Sequence, residues 1–76
     1  MTEKQSYIYT VIDKYWKVNG FAPSIDDIMR ITGDKGRGSV HRTMKKLVAL
    51  GHCKMLPNHA RSIRPSYMRV HKLEIE

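Results

Sequence analysis

The stretch Pro23–Gly51 reads PSIDDIMRITGDKGRGSVHRTMKKLVALG, and it holds two helical patterns with a tight turn between them. Ala22 precedes Pro23 and is biased away from helix, so Phe21-Ala22-Pro23 is an extended connector. Ser24 is then a helix N-cap. Its side-chain oxygen can accept from an orphan backbone N–H, and Asp26 and Asp27 suit the positive end of the dipole. The pattern predicts a short helix over 25–32, with Ile28 and Ile31 facing inward and Gly33 stopping it. Asp34-Lys35-Gly36-Arg37-Gly38 is too rich in glycine to continue a helix and reads as a sharp connection. A third helix is predicted over 37–50. Val40, Met44, Leu47 and Val48 stand at i, i+4, i+7 and i+8, which is one buried stripe. The opposite side carries Arg37, His41, Arg42, Lys45 and Lys46, and Gly51 terminates the helix.

Upstream, Thr2-Glu3-Lys4-Gln5 has the form of a capping box. Tyr7, Ile8, Val11, Ile12, Tyr15 and Trp16 follow in steps that trace one broad helical face. This predicts a first helix over 3–18, ended at Asn19-Gly20 with Gly20 in the left-handed position. Its aromatic residues read as core. Downstream, His52–Leu56 and Arg61–Arg64 read as two short strands around the turn residues Pro57-Asn58-His59-Ala60. Pro65 interrupts the second strand. The composition predicts a domain over 1–64 and a C-terminal tail over 65–76 that alternates only in part. The tail is a candidate strand for pairing with a second copy, and equally reads as a frayed end.

The chain has 76 residues and a net charge of +7. That length is one small domain, with little room for a deep cleft beside a core. The charge is strongly segregated. Residues 1–34 are close to neutral, whereas 35–73 hold Lys35, Arg37, Arg42, Lys45, Lys46, Lys54, Arg61, Arg64, Arg69 and Lys72 with no acid among them. Ten like charges repel unless something anionic meets them, so a polyanionic partner is expected. Cys53 is the single cysteine, which excludes an intramolecular disulfide and favours a reducing compartment. The sequence holds neither a membrane span nor a signal-peptide core. The expected setting is the cytoplasm, in association with the nucleoid.

Three short helices followed by a hairpin make a mainly α, α+β chain of winged helix-turn-helix layout. In that layout the last helix enters the major groove of double-stranded DNA and presents its early residues to base edges. Arg37, Ser39, His41 and Arg42 are then the expected base readers, since arginine on guanine is the commonest specific pairing. Ser24, Lys35, Lys45 and Lys46 are the expected backbone contacts. The wing residues Asn58, His59, Arg61 and Arg64 are expected on the adjacent backbone or minor groove.

These residues also resemble a known family. Gly20-Phe21-Ala22-Pro23-Ser24-Ile25-Asp26-Asp27-Ile28 is similar to the G-x-P-P-T-x-x-E-I segment of LexA repressors. Gly33 falls on the glycine of that family's L-G pair. Leu47 and Gly51 match the end of its reading helix, with Met44 in place of a leucine. Ala60-Arg61-Ser62-Ile63-Arg64 resembles its S-R-x-I-R wing, with Ala60 for serine, and Thr2, Gln5 and Ile12 fit its first helix. The resemblance runs from Thr2 to Arg64. It implies a dimeric, sequence-specific transcriptional repressor whose third helix reads the major groove. By position, Gly36, Gly38, Ser39, His41 and Arg42 occupy the family's reading sites. Gly36 and Gly38 replace its serine and asparagine, and His41 and Arg42 replace two acids. A different operator preference is therefore implied, and Gly36 is a weaker N-cap than serine. The family's serine–lysine self-cleavage half has no counterpart before Glu76, so damage-triggered self-cleavage is not expected of these residues. A stand-alone domain of this kind suits a phage or mobile-element regulator.

Other chemistries fit less well. His52, Cys53 and His59 lack the four-ligand spacing of a structural metal site, so no metal or other cofactor is expected. The acid-free half offers no carboxylate to orient a catalytic histidine, and no enzyme is expected. The basic face lacks an apolar face of its own for a membrane surface. RNA readers usually expose aromatic residues on a sheet, and the aromatics here lie mostly on the first helix in core register. The remaining alternative is a winged module that binds a partner protein, docking the basic face on an acidic surface.

Overall fold

The computed structural model describes residues 1–68. The element order is α1 (Glu3–Asn19), α2 (Ile25–Thr32), α3 (Arg37–Ala49), β1 (Cys53–Lys54) and β2 (Arg64–Pro65). The three helices pack on one another, and the two strands close the open side against α1 and α3. The tail expectation over 69–76 lies outside the described residues. None of the described helices is long and apolar enough to cross a membrane.

Local sequence accounts for the helix ends. Thr2 Oγ1 accepts from Gln5 N at 3.1 Å while Gln5 Oε1 accepts from Thr2 N at 3.0 Å, completing the predicted box. Gly20 sits at φ 79° and Gly33 at φ 75°, the left-handed geometry that lets each helix stop on a glycine. The core comprises Ile8, Val11, Ile12 and Trp16 of α1, Ile28 of α2, and Val40, Met44 and Leu47 of α3, with Ala22, Cys53 and Ile63. Burial holds the Cys53 thiol neutral by pushing its pKa up to about 11.

Several expectations are corrected by packing. Ile31 is 50% exposed. It stands in the last turn of α2, where it borders a shallow groove with Tyr7, Val11 and Val18 of α1, and among the described residues no third element covers it. Ile25 and Met29 pack against the core in its place. Tyr7 likewise lies outside the core. The strands are far shorter than their apolar patterns suggest. The Ser62 hydroxyl accepts from Leu56 N at 2.9 Å and donates toward Leu56 O at 3.1 Å, so a side chain takes the place of the backbone ladder there. Pro65 does not interrupt pairing but belongs to β2, opposite Cys53, with Lys54 opposite Arg64. A two-stranded ribbon is all edge, where proline is tolerated. The packed unit also continues past Arg64. Pro65 is buried, Ser66 N donates to His52 O at 2.9 Å, and Tyr67 hydrogen-bonds Asp13.

Candidate nucleic-acid interface

At 100° per residue, burying Val40, Met44 and Leu47 turns Gly38, Arg42, Lys45 and Ala49 outward. Lys46 and His41 flank this row on either side, and all six are exposed. Gly38 leaves an open spot in the middle of the face. The nearest atom to a Cβ built there is Arg42 Nη1 at 3.7 Å, so the Arg42 guanidinium folds back along the helix over Gly38. Among the described residues no carboxylate pairs with Arg42, Lys45 or Lys46.

The start of α3 is held on both sides by the preceding elements. Arg37 Nη1 is paired with Asp26 of α2. Ser39 Oγ accepts from Lys4 Nζ, which also pairs with Asp34 at 3.1 Å. Asp34 Oδ1 in turn accepts from Gly36 N at 2.8 Å, and that bond, followed by Lys4, lowers the Asp34 pKa. The N-cap Gly36 offers no side chain, and the first turn carries no acid. Two of the four expected base readers, Arg37 and Ser39, are thus engaged within the chain, whereas His41 and Arg42 have no side-chain partner among the described residues. Lys35 lies exposed just before this turn.

Ser24 is committed to α2. Its Oγ accepts from Asp27 N at 3.1 Å, and Asp27 Oδ2 accepts from Ser24 N at 3.0 Å. Asp27 is only 4% exposed. It also accepts from Arg30 at 2.6 Å, Arg61 at 2.6 Å and Tyr15 Oη at 3.2 Å. The Ser24 backbone bond and then the Arg30 and Arg61 bonds outweigh desolvation and hold its carboxyl well below the usual carboxylate range.

The wing divides into two parts. Pro57–Ala60 form an exposed tip in which Asn58 takes φ 64°, a left-handed turn position that asparagine tolerates. Asn58 and His59 therefore sit at the tip as expected. Arg61 turns inward instead, from the tip to Asp27 and Ala22 O. Arg64 Nη1 donates to Met68 O. Lys54, which lies in the predicted strand His52–Leu56 but is not among the expected wing contacts, is the cross-strand neighbour of Arg64, so two cations share one face of the ribbon. Ser62, equally silent in the sequence, is 2% exposed and shapes the loop through Leu56 and His59 O. The capping pattern Ser24-x-x-Asp27 signals the local half of the Asp27 site. Nothing in the sequence signals Arg61 as its partner 34 positions away.

Comparison with known proteins finds related sequences. A model of the LexA DNA binding domain matches residues 1–62. A LexA repressor of Rhodospirillum rubrum is 35% identical over 63 residues, covering 83% of this chain and 25% of that protein. A LexA repressor of Zymomonas mobilis is 29% identical over 76 residues, covering 100% of this chain and 35% of that protein. The chain thus spans between a quarter and about a third of the length of these relatives.

Proposed function

The chain belongs to the LexA DNA-binding domain family, and from that premise we propose that it is a sequence-specific regulator of transcription, acting as a repressor. In this reading α3 enters the major groove. Arg42 and His41 read base edges from the outward face, and Arg37 and Ser39 join them by exchanging Asp26 and Lys4 for DNA. Lys45, Lys46 and Lys35 neutralise phosphates, and the N-terminus of α2 at Ser24 approaches the backbone. Asn58 and His59 at the wing tip, with Arg64, meet the flanking backbone or minor groove. Dimerisation, where operators demand it, is assigned to the C-terminal segment.

The observation that carries this reading is the outward face of α3. Its row of cations faces solvent without described acidic partners, directly opposite the buried stripe that fixes the helix. A surface of that kind is stabilised by an anionic partner. With about 5 phosphates neutralised per chain, log K falls against log[salt] with a slope of roughly −4 to −5. Selection from a random duplex pool near physiological salt tests it. A recovered motif that resists competitor DNA supports the reading, and its symmetry reports the dimer. Recovery of no motif, with only weak salt-sensitive binding, overturns sequence-specific regulation and favours a protein partner.

A further inference from the structure

The two limbs of the wing are joined to each other by a ladder of only two residue pairs, with a long connection between them. The return limb is nevertheless fixed at consecutive residues. Ile63 O accepts from Trp16 Nε1 at 2.8 Å, and the Ser62 hydroxyl ties both ends of the loop together. At Arg61, three acceptors, one each from α1, the connector and α2, converge on Nη1. They are Asp27 Oδ2 at 2.6 Å, Ala22 O at 3.2 Å and Tyr15 Oη at 3.3 Å. The guanidinium carbon also lies 5.5 Å from the centre of the Phe21 ring. Asp27 is itself immobilised, because the capping box of α2 fixes its backbone and carboxylate together.

We infer that the Asp27–Arg61 pair is a positioning device, which locks the wing to the start of α2 and so sets the spacing between wing tip and α3 on a duplex. The inference rests on the DNA-binding reading above. In that reading α2 and α3 meet the duplex as one body, and the two limbs of the wing share only two ladder pairs. Arg61 joins the wing to that body at the residue next to the exposed tip. The planar guanidinium suits the task, since it can face an acid, a carbonyl and an aromatic ring in one orientation, as a lysine ammonium cannot. Arg61 thus acts through the residues it places and need not itself meet a phosphate. Asp27 is too buried to touch DNA at all.

The test is hydroxyl-radical footprinting on the selected duplex, with wild type, Arg61→Gln, Arg61→Lys, Asp27→Asn and Arg42→Ala, each first melted to confirm folding at the assay temperature. Arg61→Gln and Asp27→Asn are expected to keep the patch protected by α3 and to lose the flanking patch. Their salt slopes become shallower by about 1 for each phosphate no longer neutralised. Arg61→Lys keeps the charge but loses the planar fork, and is expected not to restore the flanking patch. Restoration by lysine, or a normal flanking patch in Asp27→Asn, means that Arg61 touches DNA directly and overturns the inference. Fading of both patches in proportion to unfolding overturns it as well, since that is a purely structural role. A folded wild type that protects nothing overturns the DNA reading itself. Should Arg61→Gln fail to fold, Arg61→Lys and Asp27→Asn carry the decision.

Discussion

Helices α2 and α3 are neighbours in sequence and in space, yet their first turns are built in opposite ways. The start of α2 is closed. Ser24 and Asp27 satisfy each other's backbone N–H groups, and Asp26 and Asp27 complement the dipole. The start of α3 is open. Gly36 supplies no capping side chain, and no acid stands in the first turn. Every described ion pair draws its carboxylate from Asp13, Asp26, Asp27 or Asp34, all in the first half of the chain. One helix start is therefore closed by its own side chains, and the other is left without a side-chain cap. In the proposed function, stability and recognition are separated between these two neighbouring helices, and substitutions in each should fail in different ways.

The largest effect is expected at the closed end. Asp27→Ala strips a buried carboxylate from two cations, a phenol and a backbone N–H. It should cost about 3 kcal/mol, at the low end for a broken buried pair because both arginines reach solvent. For a domain of this size that lowers Tm by roughly 12–24 °C. A thermal melt that shifts by only a degree or two would remove Asp27 as the hub. The same residue gives a pH signature. Its folded pKa lies below the ordinary aspartate value of 3.8, so its contribution is complete above that value and is lost as pH falls further through the folded pKa. Denaturant titrations of wild type and Asp27→Asn should therefore converge as the solution is made more acidic.

At the open end the losses should appear in binding rather than in Tm. Arg42→Ala is expected to reduce discrimination between the selected site and random duplex by roughly 1–3 kcal/mol. Equal losses on both duplexes would take Arg42 out of the readers. Lys46→Ala should instead weaken every sequence alike and flatten the salt slope by about 1. A sequence-dependent loss there would move Lys46 from backbone to base contact. The smallest effect sharpens the comparison directly. Gly36→Ser gives α3 the cap that α2 already has. A Cβ at this position meets Asp34 Oδ1 and Ser39 Cβ at ordinary van der Waals distance, 3.4 Å each. Stability should rise by only a few tenths of a kcal/mol, read as a small increase in the urea midpoint.

The helices are largely legible in the sequence because their signals are local. Thr2, Ser24, Gly20 and Gly33 lie at the boundaries they determine, and the stripe of Val40, Met44 and Leu47 needs only helical periodicity. The strands are legible in position but not in length. Apolar patterning cannot reveal that the Ser62 side chain substitutes for ladder bonds. Of the interface, the outward row on α3 follows from the buried stripe opposite it. The engagement of Arg37 and Ser39 does not, because Asp26 and Lys4 come from other helices. Arg61 shows the limit most clearly. As one cation in an acid-free run it reads as a DNA contact, and only folding brings it beside Asp27.

The sequence by itself determined where helices begin and end, which face of α3 is buried, and which half of the chain carries the charge. These depend on caps, periodicity and composition, all within a few residues of one another. Tertiary structure decided which cations are engaged inside the molecule and which face solvent among the described residues. That choice depends on what lies within a few ångströms, and for Arg61 the deciding group is 34 residues away.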